Sequence, residues 1–180
     1  MLRQSDLSGF NVPNLDRKVI TSLFADDTCV FLSESDDLNT LNRILEEWCL
    51  ASGAKFNIKK TEVIPMGSRI YREQVIESRR LNPTSTPFPD GVKIASQGEC
   101  TRLLGAYIGN GIDEQGPWGP ILDAISRKLS TWSSRSLSLT GKSMIIQSYV
   151  GGKTQYLTTV QGMPDAIVIK LKKMMSDFLW

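Results

Sequence analysis

Leu23-Phe24-Ala25-Asp26-Asp27-Thr28-Cys29-Val30-Phe31 (LFADDTCVF) places two adjacent acids between apolar runs. Arg17–Leu23 is short and β-branched and reads as a strand, and Thr28–Leu32 reads as a second. Phe24–Asp27 is then a tight connection, too short for a crossover, so the pair reads as an antiparallel hairpin. The apolar flanks place that hairpin in a core. Two carboxylates at a hairpin tip repel unless a cation neutralises them. Mg²⁺ prefers carboxylate, phosphate and water oxygens, so such a tip suits nucleotidyl transfer. One metal would activate an attacking 3′-hydroxyl, and the other would hold the triphosphate. A solvated Asp-Asp turn is the other reading of the same residues.

Downstream, Ser35 or Asp36 can cap a helix. Leu38, Leu41, Leu45, Trp48 and Cys49 recur at helical spacing, so Asp37–Ser52 is an expected amphipathic helix, with Gly53 ending it. Lys55–Ile58 and Glu62–Pro65 read as short strands around a turn at Asn57–Lys60. Residues 81–91 (LNPTSTPFPDG) hold three prolines and a glycine and read as a loop and a seam. Val92–Ile94 and Leu103–Ile108 are strand-like, the second interrupted by Gly105, and residues 109–119 form another loop. Three helices follow, marked by Ile121, Leu122, Ile125, Leu129 and Trp132, by Met144, Ile145, Ser148 and Tyr149, and by Ile167, Val168, Leu171, Met174, Met175 and Phe178 behind Pro164. The expected fold class is α+β, with a mixed part to about residue 110 and a helical part after it.

The 180 residues are 41% hydrophobic and 22% charged, enough for a packed core. No run of 18 apolar residues suggests a membrane span, and the first ten residues have no apolar stretch of signal-peptide length. The sequence holds no histidine, and its three cysteines, Cys29, Cys49 and Cys100, lack metal spacing. This argues against a zinc site or a Ser-His-Asp triad. The cysteines read as buried small apolar residues in a reducing compartment. Residues 1–60 carry seven basic and nine acidic side chains, whereas residues 121–180 carry eight and three. A basic end suits a polyanion and an acidic end a metal, although a solvated helix surface has the same composition.

Phe-Ala-Asp-Asp followed by TCVFL resembles the motif C hairpin of reverse transcriptases, especially those of non-LTR (LINE-like) retrotransposons. The resemblance implies that Asp26 is the metal-binding catalytic aspartate and Asp27 its less essential partner. LEEWCLASGAKFNIKKTEVI is similar to motif D, with Ser52, Gly53, Asn57, Lys60 and Thr61 matching position by position. Lys60 is thereby implied to approach the triphosphate or to protonate the pyrophosphate. CTRLLGAYIG resembles the motif E hairpin that grips the primer, through Leu103, Leu104, Gly105 and Ile108. The segment around KLSTWSSRSLSLTGK is similar to the thumb or connection region. By that resemblance Arg127, Lys128, Arg135, Lys142 and Lys153 would contact backbone phosphates. Trp132 would stack on a base or, by its helical spacing, sit in a core. Solvated turns or helix faces remain the alternative for the lysines, and a strand bulge for Gly105.

The resemblance covers roughly residues 8–180. It implies a partial palm over residues 1–80, a proline-rich loop with a primer-grip-like hairpin over 81–116, and a thumb-like region over 117–180. The partners it implies are an RNA template, a DNA primer and deoxynucleoside triphosphates, with Mg²⁺ or Mn²⁺ as cofactor in the intact parent enzyme. The location it implies is intracellular, in the nucleus. In the family, a further metal-binding aspartate precedes the hairpin on motif A, and neither Asp6 nor Asp16 stands in such a context. The chain is therefore expected to be the back half of a palm plus a thumb, and inactive in isolation. A non-catalytic nucleic-acid-binding remnant and an unrelated small α/β domain are the competing readings.

Overall fold

A computed structural model describes residues 1–180, which divide into two compact units, Met1–Ser96 and Gln97–Trp180. The chain is α+β, with short strand pairs and packed helices.

In the first unit, β1 (Thr21–Phe24) and β2 (Asp27–Val30) form the expected antiparallel hairpin. The strands are displaced from their expected bounds, and the connection is shorter. Phe24 pairs with Asp27, so only Ala25 and Asp26 lie in the turn. Ala25 has φ of +51°, as the first position of a two-residue hairpin turn requires. The pairing extends away from the tip, where the Phe31 N–H donates to the Ile20 carbonyl at 2.9 Å and Phe10 bridges Val19. The apolar flanks do not place the tip in a core. Leu23 is 58% exposed and Phe24 65%, while Val30 and Leu32, at the other end, pack on the core.

Helix α1 (Leu38–Ser52) is capped by Asp37, whose carboxylate accepts from the N–H groups of Asn39 and Thr40. Those hydrogen bonds hold the Asp37 carboxyl below the usual range despite some desolvation. Asp36, expected as a possible cap, is instead buried and accepts from the N–H groups of Ser8 (2.5 Å), Gly9 (3.0 Å) and Ser33 (2.8 Å). It thus ties the N-terminal segment to the α1 approach. The buried stripe of α1 is Leu38, Leu41 and Ile44, with Leu45 packed alongside. Trp48, expected to be inward, is exposed and lies against Phe56, with ring centroids 5.3 Å apart.

Lys55–Ile58 is not a strand. Asn57 caps a 3₁₀ turn, Ile58–Lys60, by accepting from the Lys59 N–H. β3 (Glu62–Val63) then pairs in parallel with β4 (Lys93–Ile94). Helix α2 (Arg69–Ser78), unexpected from the sequence, begins at the cap Ser68 and buries only Val75. Residues 81–91 lie within the first unit rather than at a seam. Leu81, Ser85 and Phe88 are buried there, the Arg79 guanidinium donates to the carbonyls of Pro89 and Val92, and Tyr71 donates to that of Leu81. The prolines give the loop fewer N–H groups, so its carbonyls take side-chain donors.

In the second unit, β5 (Thr101–Leu103) and β6 (Ala106–Ile108) form an antiparallel hairpin in place of one interrupted strand. Trp118, 1% exposed, anchors a core with Leu157 and Ile167, although its Gly/Pro-rich surroundings read as loop. Helix α3 (Gly119–Ser133) follows as its periodicity predicts. α4 (Leu139–Ile145) runs through a π-helical segment, Ile146–Gly151, into α5 (Gly152–Gln161). α6 (Asp165–Leu179) closes a second core with Ile125, Leu129, Val150, Leu171 and Phe178.

Candidate functional site

Asp26, Asp27 and Lys60 belong to the first unit, and Leu104, Gly105, Arg127, Lys128, Arg135 and Lys142 to the second. Asp26 is the second residue of the β1–β2 turn and Asp27 the first of β2, and both are exposed. A two-residue turn thus presents adjacent carboxylates to solvent beside the exposed Leu23 and Phe24. No group of three or more His, Cys, Asp or Glu side chains capable of holding a metal occurs in the chain. Two neighbouring carboxylates on one turn do not make a two-metal site, which needs donors from separate elements to bridge the ions. A cleft of about 370 Å³ in this unit is bordered by Asp16, Arg17 and Lys18, and neither the acidic turn nor Lys60 forms its wall.

Lys60 ends the 3₁₀ turn and is exposed. The residues around it have identifiable structural roles. Gly53 ends α1 with φ of +71°, Asn57 caps the turn, and the Thr61 hydroxyl donates to the Asn57 carbonyl at 3.0 Å. The Ser-Gly…Asn..Lys-Thr spacing therefore builds a capped 3₁₀ turn that presents two lysines after a helix.

The β5–β6 turn, Leu104-Gly105, has positive φ at both residues, +49° and +86°. Such a turn suits Asn-Gly, and leucine there is strained. Helix α5 holds it in place. The Tyr156 hydroxyl donates to the Leu104 carbonyl, and a Cβ on Gly105 would meet Tyr156 Cε1 at 3.0 Å. Five residues on, the Gln161 amide accepts from the Tyr107 N–H and donates to the Tyr107 carbonyl, both at 2.9 Å. The motif E resemblance implies a hairpin here but neither of these partners. A tyrosine and a glutamine five residues apart on a helix give no signal until the hairpin's docking is known.

The basic residues differ in what they touch. Lys142 Nζ donates to the Leu179 carbonyl at 3.0 Å and lies 5.7 Å from the Phe178 ring, so it caps the C-terminus of α6. Arg127 is exposed and leans on the Asp123 carbonyl. Lys128, Arg135 and Lys153 are exposed and lie over aromatic rings. Trp132, for which stacking and core roles were both open, is half-buried and packs against the second unit's core. The cysteines are more exposed than expected. Cys29 and Cys49 are half-buried and Cys100 is exposed, and burial pushes the Cys29 thiol up. No helix is long and apolar enough to cross a membrane.

No family model matches the chain. It is similar to an uncharacterized 149 kDa protein of transposon TX1 from Xenopus laevis, with 23% identity over 185 residues. The match takes in 99% of this chain and 13% of that protein. The chain is thus similar along nearly its whole length to a segment of a transposon protein.

Proposed function

We propose that this chain is the palm-to-thumb portion of a non-LTR-type reverse transcriptase, and that it handles nucleic acid without completing nucleotidyl transfer alone. The observation that carries the reading is the Phe24-Ala25-Asp26-Asp27 hairpin, whose two-residue turn exposes both carboxylates. Three further features support it. They are the lysine-bearing turn after α1, the hairpin held on α5, and the transposon similarity, which runs through all of them. Asp26 and Asp27 are assigned as two of the carboxylates of a Mg²⁺ or Mn²⁺ site. Lys60 is assigned to the triphosphate side, and Leu104, Gly105, Arg127, Lys128 and Arg135 to the primer–template. Lys142 is assigned to holding α4 on α6. The substrates are an RNA template, a DNA primer and deoxynucleoside triphosphates, and the place of action is the nucleus.

The lack of a third carboxylate near the acidic turn favours a second reading for the chain on its own, a nucleic-acid-binding module with Asp26 idle. Primer extension with Mg²⁺ or Mn²⁺, in wild type and Asp26→Asn, separates the two from an active enzyme. The expected result is no extension by either protein. Extension by wild type that Asp26→Asn abolishes would show that the chain completes a metal site by itself and would overturn the proposed incompleteness.

A further inference from the structure

In the second unit, three cations and two rings alternate in an unbroken series. Arg135 lies over Trp132 at 5.3 Å, Lys128 over the same ring at 5.8 Å and over Tyr149 at 5.9 Å, and Lys153 over Tyr149 at 6.0 Å. Helical spacing builds it, since 128 and 132, and 149 and 153, are four residues apart and 132 and 135 three. Lys128 joins α3 to the π-helical segment that carries Tyr149. Such segments shift a helix's register and recur at functional sites. Both rings pack against the core and are half-buried, while the three cations are exposed.

The charge on this face is not neutralised. None of the eight basic side chains between residues 121 and 180 is in an ion pair. In the first unit, by contrast, Arg43 pairs with Glu47 and Arg69 with Glu73. A cation over a ring keeps its full charge while its side chain is held in place, so part of the cost of ordering it for a ligand is already met.

We infer that Arg135, Trp132, Lys128, Tyr149 and Lys153 form a track for single-stranded nucleic acid, the unpaired part of the primer–template. Bases stack on the two rings, and the cations displaced from the ring faces move to the phosphates. This deepens the proposal that the chain handles nucleic acid and rests on it. The choice of a single strand follows from relative strengths. An exposed lysine over a ring is a weaker contact than a stacked base, so a free base displaces it. Bases paired in a duplex cannot make that exchange.

The test is anisotropy of a labelled oligothymidylate and of a matched duplex with the full chain over a range of salt. Lys128→Gln or Lys153→Gln should each reduce the slope of log affinity against log salt by about 0.7 for the single strand. Tyr149→Leu should weaken single-strand binding about tenfold while leaving that slope unchanged. Lys170→Gln, Lys172→Gln and Lys173→Gln together, on α6, serve as a control that removes more charge than either track variant and should leave the slope near wild type. Wild-type binding that the track variants alter no more than this control would overturn the track while leaving the nucleic-acid reading in place. Equal losses for single strand and duplex would overturn the single-strand assignment. No binding to either form would overturn both the track and the reading beneath it.

Discussion

The two hairpins share a design and differ in support. Each turns through two residues, and each begins that turn with a non-glycine residue at positive φ, Ala25 at +51° and Leu104 at +49°. The β5–β6 turn is fixed by Tyr156 and Gln161 from α5. The β1–β2 tip is exposed on both strands, with only its far end packed on the core. A strained turn persists where surrounding contacts over-determine it. The second hairpin is therefore a rigid element built into its unit, and the first an apolar, acidic tip open to further contacts.

The largest effect should come from breaking the support of the second hairpin. Gly105→Ala adds a Cβ 3.0 Å from Tyr156 Cε1 at φ of +86°. It should lower stability by about 1–3 kcal/mol, read as an earlier melting transition. Tyr156→Phe removes the hydrogen bond to Leu104 but keeps the ring, and should cost about 1 kcal/mol in the same measurement. In the first hairpin the sign reverses. Ala25→Gly relieves a left-handed alanine in an open turn, and a net gain of about 0.5–1 kcal/mol is expected after the added freedom of the unfolded chain. A loss on Ala25→Gly would show that the tip is held more tightly than its exposure indicates.

Cysteine alkylation sharpens the contrast along each hairpin. Cys29, on β2 toward the packed end, is half-buried with a raised thiol pKa, and Cys100, just before β5, is exposed. Only the thiolate reacts, so Cys29 should lag Cys100 at neutral and mildly alkaline pH. Equal rates would mean that the packed end of the first hairpin opens readily. The smallest effect concerns Asp37, whose carboxyl is lowered by accepting hydrogen bonds at the start of α1. A lowered folded-state pKa stabilises above the ordinary aspartate range, and that contribution is lost as pH falls through the folded value. Asp37→Asn should remove this acid-side dependence while leaving a cap in place, which a comparison of acid melting curves will check.

Long amphipathic elements were legible in the sequence because burial of one face imposes a period. α1, α3 and α6 follow it, and only Trp48 of α1 departs, turning outward to Phe56. α2 was not legible because it buries a single side chain, Val75, and its charged surface has no clear stripe. Trp118 was hidden by neighbouring glycines and prolines that signal a loop, although a loop can deliver an anchor to a core. Asp36 was read as a possible cap because its three donors come partly from residues 8 and 9, far away in sequence. At the candidate site, the acidic turn is legible in its residues, whereas the β5–β6 hairpin follows only from the motif E resemblance, because the residues alone read as one strand interrupted at Gly105. The alternation of cations and rings is not legible, because it depends on α3 lying beside the π-helical segment.

On the proposed reading, the chain binds a primer–template. Anisotropy of a labelled RNA–DNA primer–template, titrated with the full chain at several salt concentrations, measures that directly. Binding at low salt that weakens linearly in log–log form as salt rises is the expected result. Failure to bind at low salt, with the chain folded by circular dichroism, would contradict it and leave the Asp26-Asp27 pair as a solvated turn.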